Sequence, residues 1–307
     1  MKITTLLSLP ISAAVLLSAC VRTQTTQNFD DAEAADTTAA APAVSDDDMN
    51  RSRTILYTLP APVEVAQMIK GSDVRFDDQL LASLGRADGY TSNLKMALNL
   101  GIYATDMSMA GMFGQSQRMV DYLGTLNGLT RRLGIMKVLD EETLSKLERY
   151  DLTRQEALSL ISEVYMNTNQ YLTENNRMNI AATVMTGAWV EGLYLALNLV
   201  NPDKLTPDIV GRLVAQKLTV ATMLGVIDDG IGKGGGDADL EYLRAKVEAV
   251  GAAFEAVELR KTGRVSAITD EEARLTTIKA NLSSELDADI LAALKEVVSK
   301  VRAEFVS

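Results

Sequence analysis

Histidine is absent from this 307-residue chain, and cysteine occurs once, at Cys20. Without imidazole there is no Ser-His-Asp or Cys-His catalysis, no histidine general base and none of the usual zinc or copper imidazole sites. Without a second cysteine the fold cannot use an internal disulfide, even in an oxidising compartment. Aromatic residues make up 5% of the chain and Trp189 is the lone tryptophan, which argues against a broad stacking platform for sugars. Positive charge is also short: 30 Lys and Arg stand against 41 Asp and Glu, a net charge of −11. A surface this acidic repels phosphate backbones and anionic lipid headgroups, so neither nucleic-acid binding nor electrostatic docking on a membrane is expected. What remains is the chemistry of carboxylates, lysine, tyrosine and serine, and no cofactor or metal is expected.

The residues present begin with an apolar leader: one cation at Lys2, an apolar stretch from Leu6 to Leu17 that carries Pro10, then Leu17-Ser18-Ala19-Cys20. The stretch is too short and too broken to span a bilayer as a stable helix and reads as a secretory signal. A small-residue cleavage site followed at once by cysteine resembles the lipobox of bacterial lipoproteins. That resemblance implies cleavage before Cys20, acylation of its sulfur and new amine, and a lasting anchor made by more than one acyl chain. An ordinary signal peptide with an unrelated cysteine is the alternative. Val21 stands where an aspartate would, under enteric-type sorting, signal retention at the inner membrane. Outer-membrane placement is therefore favoured, with the periplasmic or surface face left open. Loss of the leader removes Lys2 alone among the charges, so the mature chain is one unit more negative than the whole.

From Val21 to about Asn50 the chain is mostly Thr, Ala, Asp and Gln, with Pro42 and the run Asp46-Asp47-Asp48. Val21, Phe29 and Val44 cannot build a buried face, so burial does not offset the entropy of ordering, and the segment reads as a flexible tether. Thirty such residues reach on the order of 30 Å. Its acidic run is also compatible with a surface-export signal. The domain organisation is thus a signal peptide at 1–19, the lipidated cysteine and tether at 20–52, and a single helical domain at 53–307, with 238–307 open to being a satellite hairpin.

Beyond the tether the apolar residues recur with helical period. Leu240, Leu243, Val247, Val250, Phe254 and Val257 form an alternating three-and-four seam, as do Leu291, Leu294, Val298, Val301 and Phe305. Met119, Tyr122, Leu126, Leu129 and Leu133 make a third stripe. Thr153 with Glu156, and Thr269 with Glu272, fit capping boxes, and Thr206-Pro207-Asp208 is a helix start. Gly134 and the stretch from Gly230 to Gly236 supply stops. The pattern predicts helices near 62–71, 77–84, 92–113, 116–133, 141–149, 153–174, 178–200, 207–228, 238–260, 270–283 and 287–305. The fold class is all-α, a multi-helix bundle. Residues 92–113 and 178–200 are apolar nearly all round, which places them at the centre of the bundle. The second is long enough to cross a bilayer, but Glu191 at mid-length opposes that reading.

Lone acids on those two helices are the most pointed chemical feature. If the helices pack side by side, Asp106 and Glu191 face one cavity, where close carboxylates split their pKa values or hold a cation together. Tyr103, Asn99 and Trp189 are positioned to complete a polar pocket, a candidate ligand site. The alternative is that each acid is neutralised by an arginine, such as Arg118 or Arg177, or by Tyr and amide donors. Met107, Met109 and Met112 offer thioethers suited to Cu(I), but their place on an apolar helix favours core packing. The run Asp228 to Asp237 mixes acids with glycines and matches neither a phosphate loop nor an EF-hand. It reads as a connector.

Finally, Asn99-Leu-Gly-Ile-Tyr-Ala-Thr-Asp106, Tyr122-Leu, Leu133-Gly-Ile and Gly187-Ala-Trp-Val-Glu-Gly-Leu-Tyr194 together resemble a group of uncharacterised, all-helical lipoproteins of Gram-negative bacteria. The likeness covers roughly residues 90–200 and implies fold and address, with no functional residue carried over. The sequence therefore points to a lipid-anchored envelope protein with a non-catalytic binding or scaffolding role, touching the membrane through its lipid and open to an envelope protein partner. The competing reading is a small-molecule or cation-binding protein, or an enzyme, built on Asp106 and Glu191.

Overall fold

Two helices with almost no polar face form the centre of the molecule. The first, α1 (Asn93–Met112), starts where the Ser92 hydroxyl accepts the Lys95 N–H at 3.2 Å. Leu98, Ile102 and Tyr103 are among its fully enclosed side chains. The second, α4 (Met178–Leu199), is buried over 17 of its 22 residues. In the computed structural model the described residues are 75–135, 145–146, 153–175, 177–202, 205–234, 236–257, 260–261, 266–270, 275–279, 282–283, 286 and 288–307. The leader, Cys20, the tether, the predicted helix 62–71 and all but two residues of 141–149 lie outside them. All the described residues fall within one compact unit, Val44–Ser307.

Around the centre stand α2 (Ser116–Arg132), α3 (Arg154–Glu174), α5 (Pro207–Gly234), α6 (Ala238–Phe254) and α7 (Ala288–Phe305). The central α4 touches α1, α3, α5, α6 and α7, and α1 also meets α2, α3 and α7. The predicted stripes are the buried ones: every named apolar residue of the three seams is buried. The capping box closes as expected, with the Glu156 N–H donating to Thr153 Oγ1 at 3.2 Å and the Thr153 N–H to Glu156 Oε2 at 2.8 Å. Gly134 ends α2 with φ 67°, in the left-handed region that spares glycine the usual Cβ penalty. The three methionines Met107, Met109 and Met112 are core residues. Both α4 and Ile209–Gly232 of α5 are long and apolar enough to cross a membrane. In α4, 94% of the most apolar window is covered by the rest of the protein, against 39% in α5, where Leu218 is exposed.

The contact between α1 and α4 is made backbone to backbone. A Cβ on Gly101 would overlap the carbonyl oxygen of Val184, and one on Gly187 would overlap that of Leu98. The pair is reciprocal, each glycine admitting the other helix. Such close approach also lets the Thr105 hydroxyl reach across to the Ala188 carbonyl at 3.3 Å.

Four expectations need correction. Residues 77–84 are not an α-helix but parts of two short 3-10 turns, Asp78–Leu80 and Leu84–Gly89. Between the turns the backbone also bonds to core side chains: Ala82 N–H to Asp106, Ala82 C=O to Tyr122 and Ser83 C=O to Tyr103. The helix predicted at 207–228 runs on to Gly234, through Gly230 and Gly232, and the break falls at Gly236 with φ 76°. Residues 270–283 are not helical. There β2 (Ser266–Asp270) pairs antiparallel with β3 (Leu275–Lys279), and β1 (Arg260–Lys261) with β4 (Leu282–Ser283). The register sets Ile268 opposite Thr277 and Thr269 opposite Thr276, so β-branched residues outweigh the capping signal that was read at Thr269. The predicted 238–260 helix likewise ends at Phe254, short of β1.

Nor is 238–307 a satellite. The α7 helix packs on α4, α6 and α1, and its last carbonyls are held by side chains from the start of the domain. Lys95 Nζ donates to Glu304 O at 2.6 Å, Asn99 Nδ2 to Phe305 O at 3.0 Å and Arg86 Nη1 to Val306 O at 2.7 Å. Tyr90 shares the Val306 carbonyl at 3.2 Å. These donors satisfy helix-end acceptors that would otherwise be buried unpaired.

A direct test of the α1–α4 contact is a glycine series read by urea unfolding. Gly101→Ala and Gly187→Ala should each cost about 3 kcal/mol or more, because backbone must move to admit the methyl. Gly124→Ala, where the added carbon meets nothing within 4 Å, should instead gain about 0.5–1 kcal/mol from helix propensity.

Candidate functional site

Asp106 and Glu191 do come together, because the glycine contact brings the middles of α1 and α4 against each other. Both are fully enclosed, each at 0% exposure. Glu191 is gripped by Arg302 of α7 in a two-pronged ion pair: Nε donates to Oε2 at 2.9 Å and Nη2 to Oε1 at 3.1 Å. The Arg302 guanidinium also lies over the Tyr194 ring, 4.6 Å from its centre, and donates to the Leu80 carbonyl at 3.3 Å. Asp106 accepts the Ala82 N–H through Oδ2 at 2.9 Å.

Each carboxyl group is enclosed within reach of the other's charge, and two negative charges enclosed together are disfavoured. Burial, and then the Glu191 charge, push the Asp106 carboxyl well above the ordinary aspartate range. Burial also raises Glu191, but Arg302 opposes this and favours its ionised form. Of the two, Asp106 is the group whose surroundings favour the neutral acid, while Glu191 is balanced by the guanidinium. Asp106 Oδ1 accepts from no donor.

Of the other predicted site residues, Tyr103 borders this unit and Asn99 lies on the same face of α1. Tyr103 donates to the Ser83 carbonyl at 2.9 Å, with its ring 5.8 Å from that of Tyr122, which donates to the Ala82 carbonyl at 3.0 Å. Burial pushes both phenols above their usual value. The Asn99 amide is spent on Lys95 and Phe305 carbonyls, while its Oδ1 has no hydrogen-bond partner. Trp189 is not part of the cluster. It is two residues from Glu191, so it points across α4, where Nε1 donates to Gln216 Oε1 of α5 at 3.2 Å.

The arginine is not one of those expected. Arg118 pairs with Asp78, and Arg177 donates to the Gly134 carbonyl at 3.4 Å. Arg302 was legible in part: it lies four residues after Val298 and three before Phe305, a charged residue set into an apolar seam. The positive charge that a ligand cation would bring to Glu191 is supplied by the chain's own guanidinium. Among the described residues no group of three or more His, Cys, Asp or Glu is arranged to hold a metal ion. Comparisons of the chain with protein-family models, with curated proteins and with solved structures found no match.

Two outcomes follow for unfolding experiments. Glu191→Gln or Arg302→Met alone should each cost about 3–5 kcal/mol, since each leaves a buried polar group without its partner. The double variant E191M/R302M should cost less than either single one. The pH dependence has a definite sign. Burial lifts the folded Asp106 carboxyl above its unfolded value of about 4, so between those two values the unfolded chain binds fewer protons and stability falls as pH rises toward the folded-state pKa. Asp106→Asn keeps a neutral donor there, so its stability relative to the wild type should grow from pH 4 upward. A pH-independent difference in denaturation midpoint would contradict the raised Asp106 carboxyl.

Proposed function

We propose that this chain is a lipid-anchored helical protein of the cell envelope, held at the outer membrane by acyl groups on Cys20, with a non-catalytic binding or scaffolding role. The observation that carries this reading is the position of the sole cysteine, directly after Leu17-Ser18-Ala19 at the end of an apolar leader and before a polar, acidic tether. The anchoring chemistry needs one thiol at that place and none elsewhere. The burial of α4 inside the protein supports a bundle hung from a lipid rather than one inserted through its own helices. The acidic balance favours protein partners with basic or neutral surfaces over nucleic acid. Within the bundle, Asp106, Glu191 and Arg302 act as an internal strut joining α1, α4, α7 and the 78–83 segment.

Metabolic labelling with a palmitate analogue tests the anchor. The expressed full chain should take up label and partition with the membrane fraction, and Cys20→Ala should lose both. Label that is absent, or that persists in Cys20→Ala, would refute the address and the anchor. Crosslinking in intact cells then identifies what the domain meets.

A further inference from the structure

Side chains from three helices converge on one short stretch of backbone, residues 80–83, and every one of them reaches a main-chain atom. From α7, Arg302 Nη2 donates to the Leu80 carbonyl at 3.3 Å. From α1, Asp106 Oδ2 accepts the Ala82 N–H at 2.9 Å and Tyr103 donates to the Ser83 carbonyl at 2.9 Å. From α2, Tyr122 donates to the Ala82 carbonyl at 3.0 Å. The backbone so held is extended at Leu81, with φ −74° and ψ 150°, and at Ser83, with φ −68° and ψ 121°. Ala82 alone in this run is buried, while Leu80 and Leu81 are half-buried and Ser83 is exposed. The core therefore reads a pattern of amide groups around one small side chain. It is not fully used by this occupant, because Asp106 Oδ1 is enclosed and has no hydrogen-bond partner. The hold just ahead of the stretch is lighter: Asp78 pairs with Arg118 where both side chains are exposed, and the Phe76 ring leans on that of Phe113.

We propose that Tyr103, Asp106, Tyr122 and Arg302 form a binding site for an extended peptide, filled by the chain's own residues 80–83 and open to exchange for a strand of a protein partner. The contact made by residues 80–83 is then autoinhibitory. Recognition through main-chain hydrogen bonds gives affinity with little demand on sequence, and the enclosed place of Ala82 selects a small residue at the third position. The internal strand holds an advantage over a free peptide, which must give up translational and rotational freedom on binding. Exchange thus follows when the internal strand is weakened, or when a partner also engages Asp106 Oδ1. The site gives the binding role proposed above a place and a ligand class, and rests on that role without resting on the anchor.

The test uses the full chain carrying Cys20→Ala and a fluorescent heptapeptide, Asp-Gln-Leu-Leu-Ala-Ser-Leu, copied from residues 78–84. Ala82→Pro removes the N–H that Asp106 accepts, and Leu80→Ser removes a half-buried apolar contact of the internal strand. Either variant should bind one peptide per chain, about tenfold or more tighter than the chain with the unaltered strand. Methylating the nitrogen of the peptide's alanine should abolish this binding. Adding Tyr103→Phe and Tyr122→Phe should weaken it by about the same factor, with the helical spectrum unchanged. In the chain with the unaltered strand, hydrogen exchange should reach the amides of 80–83 well before those of α1 and α4, and this measurement decides alone if neither strand variant folds. No saturable binding to either variant, binding indifferent to the methylated nitrogen, or exchange at 80–83 only together with the whole bundle would overturn the proposal. A failed palmitate label on the wild type bears on the anchor and leaves these outcomes unchanged.

Discussion

Everything in this bundle is arranged around two helices whose backbones touch. Gly101 and Gly187 remove the side chains that would hold α1 and α4 apart, and the carbonyls of Val184 and Leu98 occupy the space instead. Once the two helices are this close, neither has a face left for water. The other helices must wrap them, and each polar group the pair carries must find its partner inside the protein.

The carboxyl unit answers that demand. Two acids enclosed together at the middle of the contact disfavour double ionisation in an environment without water. One is favoured as the neutral acid, and the other is balanced by a guanidinium brought in by a third helix. The remaining donors and acceptors are spent on carbonyls and an amide of the 78–90 segment, which leaves that segment in short 3-10 turns. A chemically suggestive pair of residues thus does architectural service, joining four parts of the chain at one point.

The helical periods and most of the stops were readable from the residues alone, because burial writes itself into a seam such as Leu240 to Val257 with little ambiguity. The candidate pair was readable for a related reason, as acids on otherwise apolar helices must meet something. What they meet was not readable. Arg302 is far from them in sequence, and nothing local marks it as their partner beyond its register with Val298 and Phe305. The misread elements share a cause. At 77–84, tertiary hydrogen bonds to Asp106, Tyr103 and Tyr122 replace the helical ladder. At 270–283, cross-strand pairing of β-branched residues prevails over a cap-like tetrapeptide. Trp189 was grouped with Glu191 by closeness in sequence, although a two-residue offset turns a helical side chain to the opposite side.

The separation of 111 residues between Glu191 and Arg302 has a consequence for how the chain matures. A polypeptide emerging from its N-terminus presents both acids long before their counter-ion exists. During that interval the carboxyls are best left hydrated, and the two apolar helices that bear them have no reason to close. Completion thus waits on the last helix, a non-local contact of the kind that slows folding.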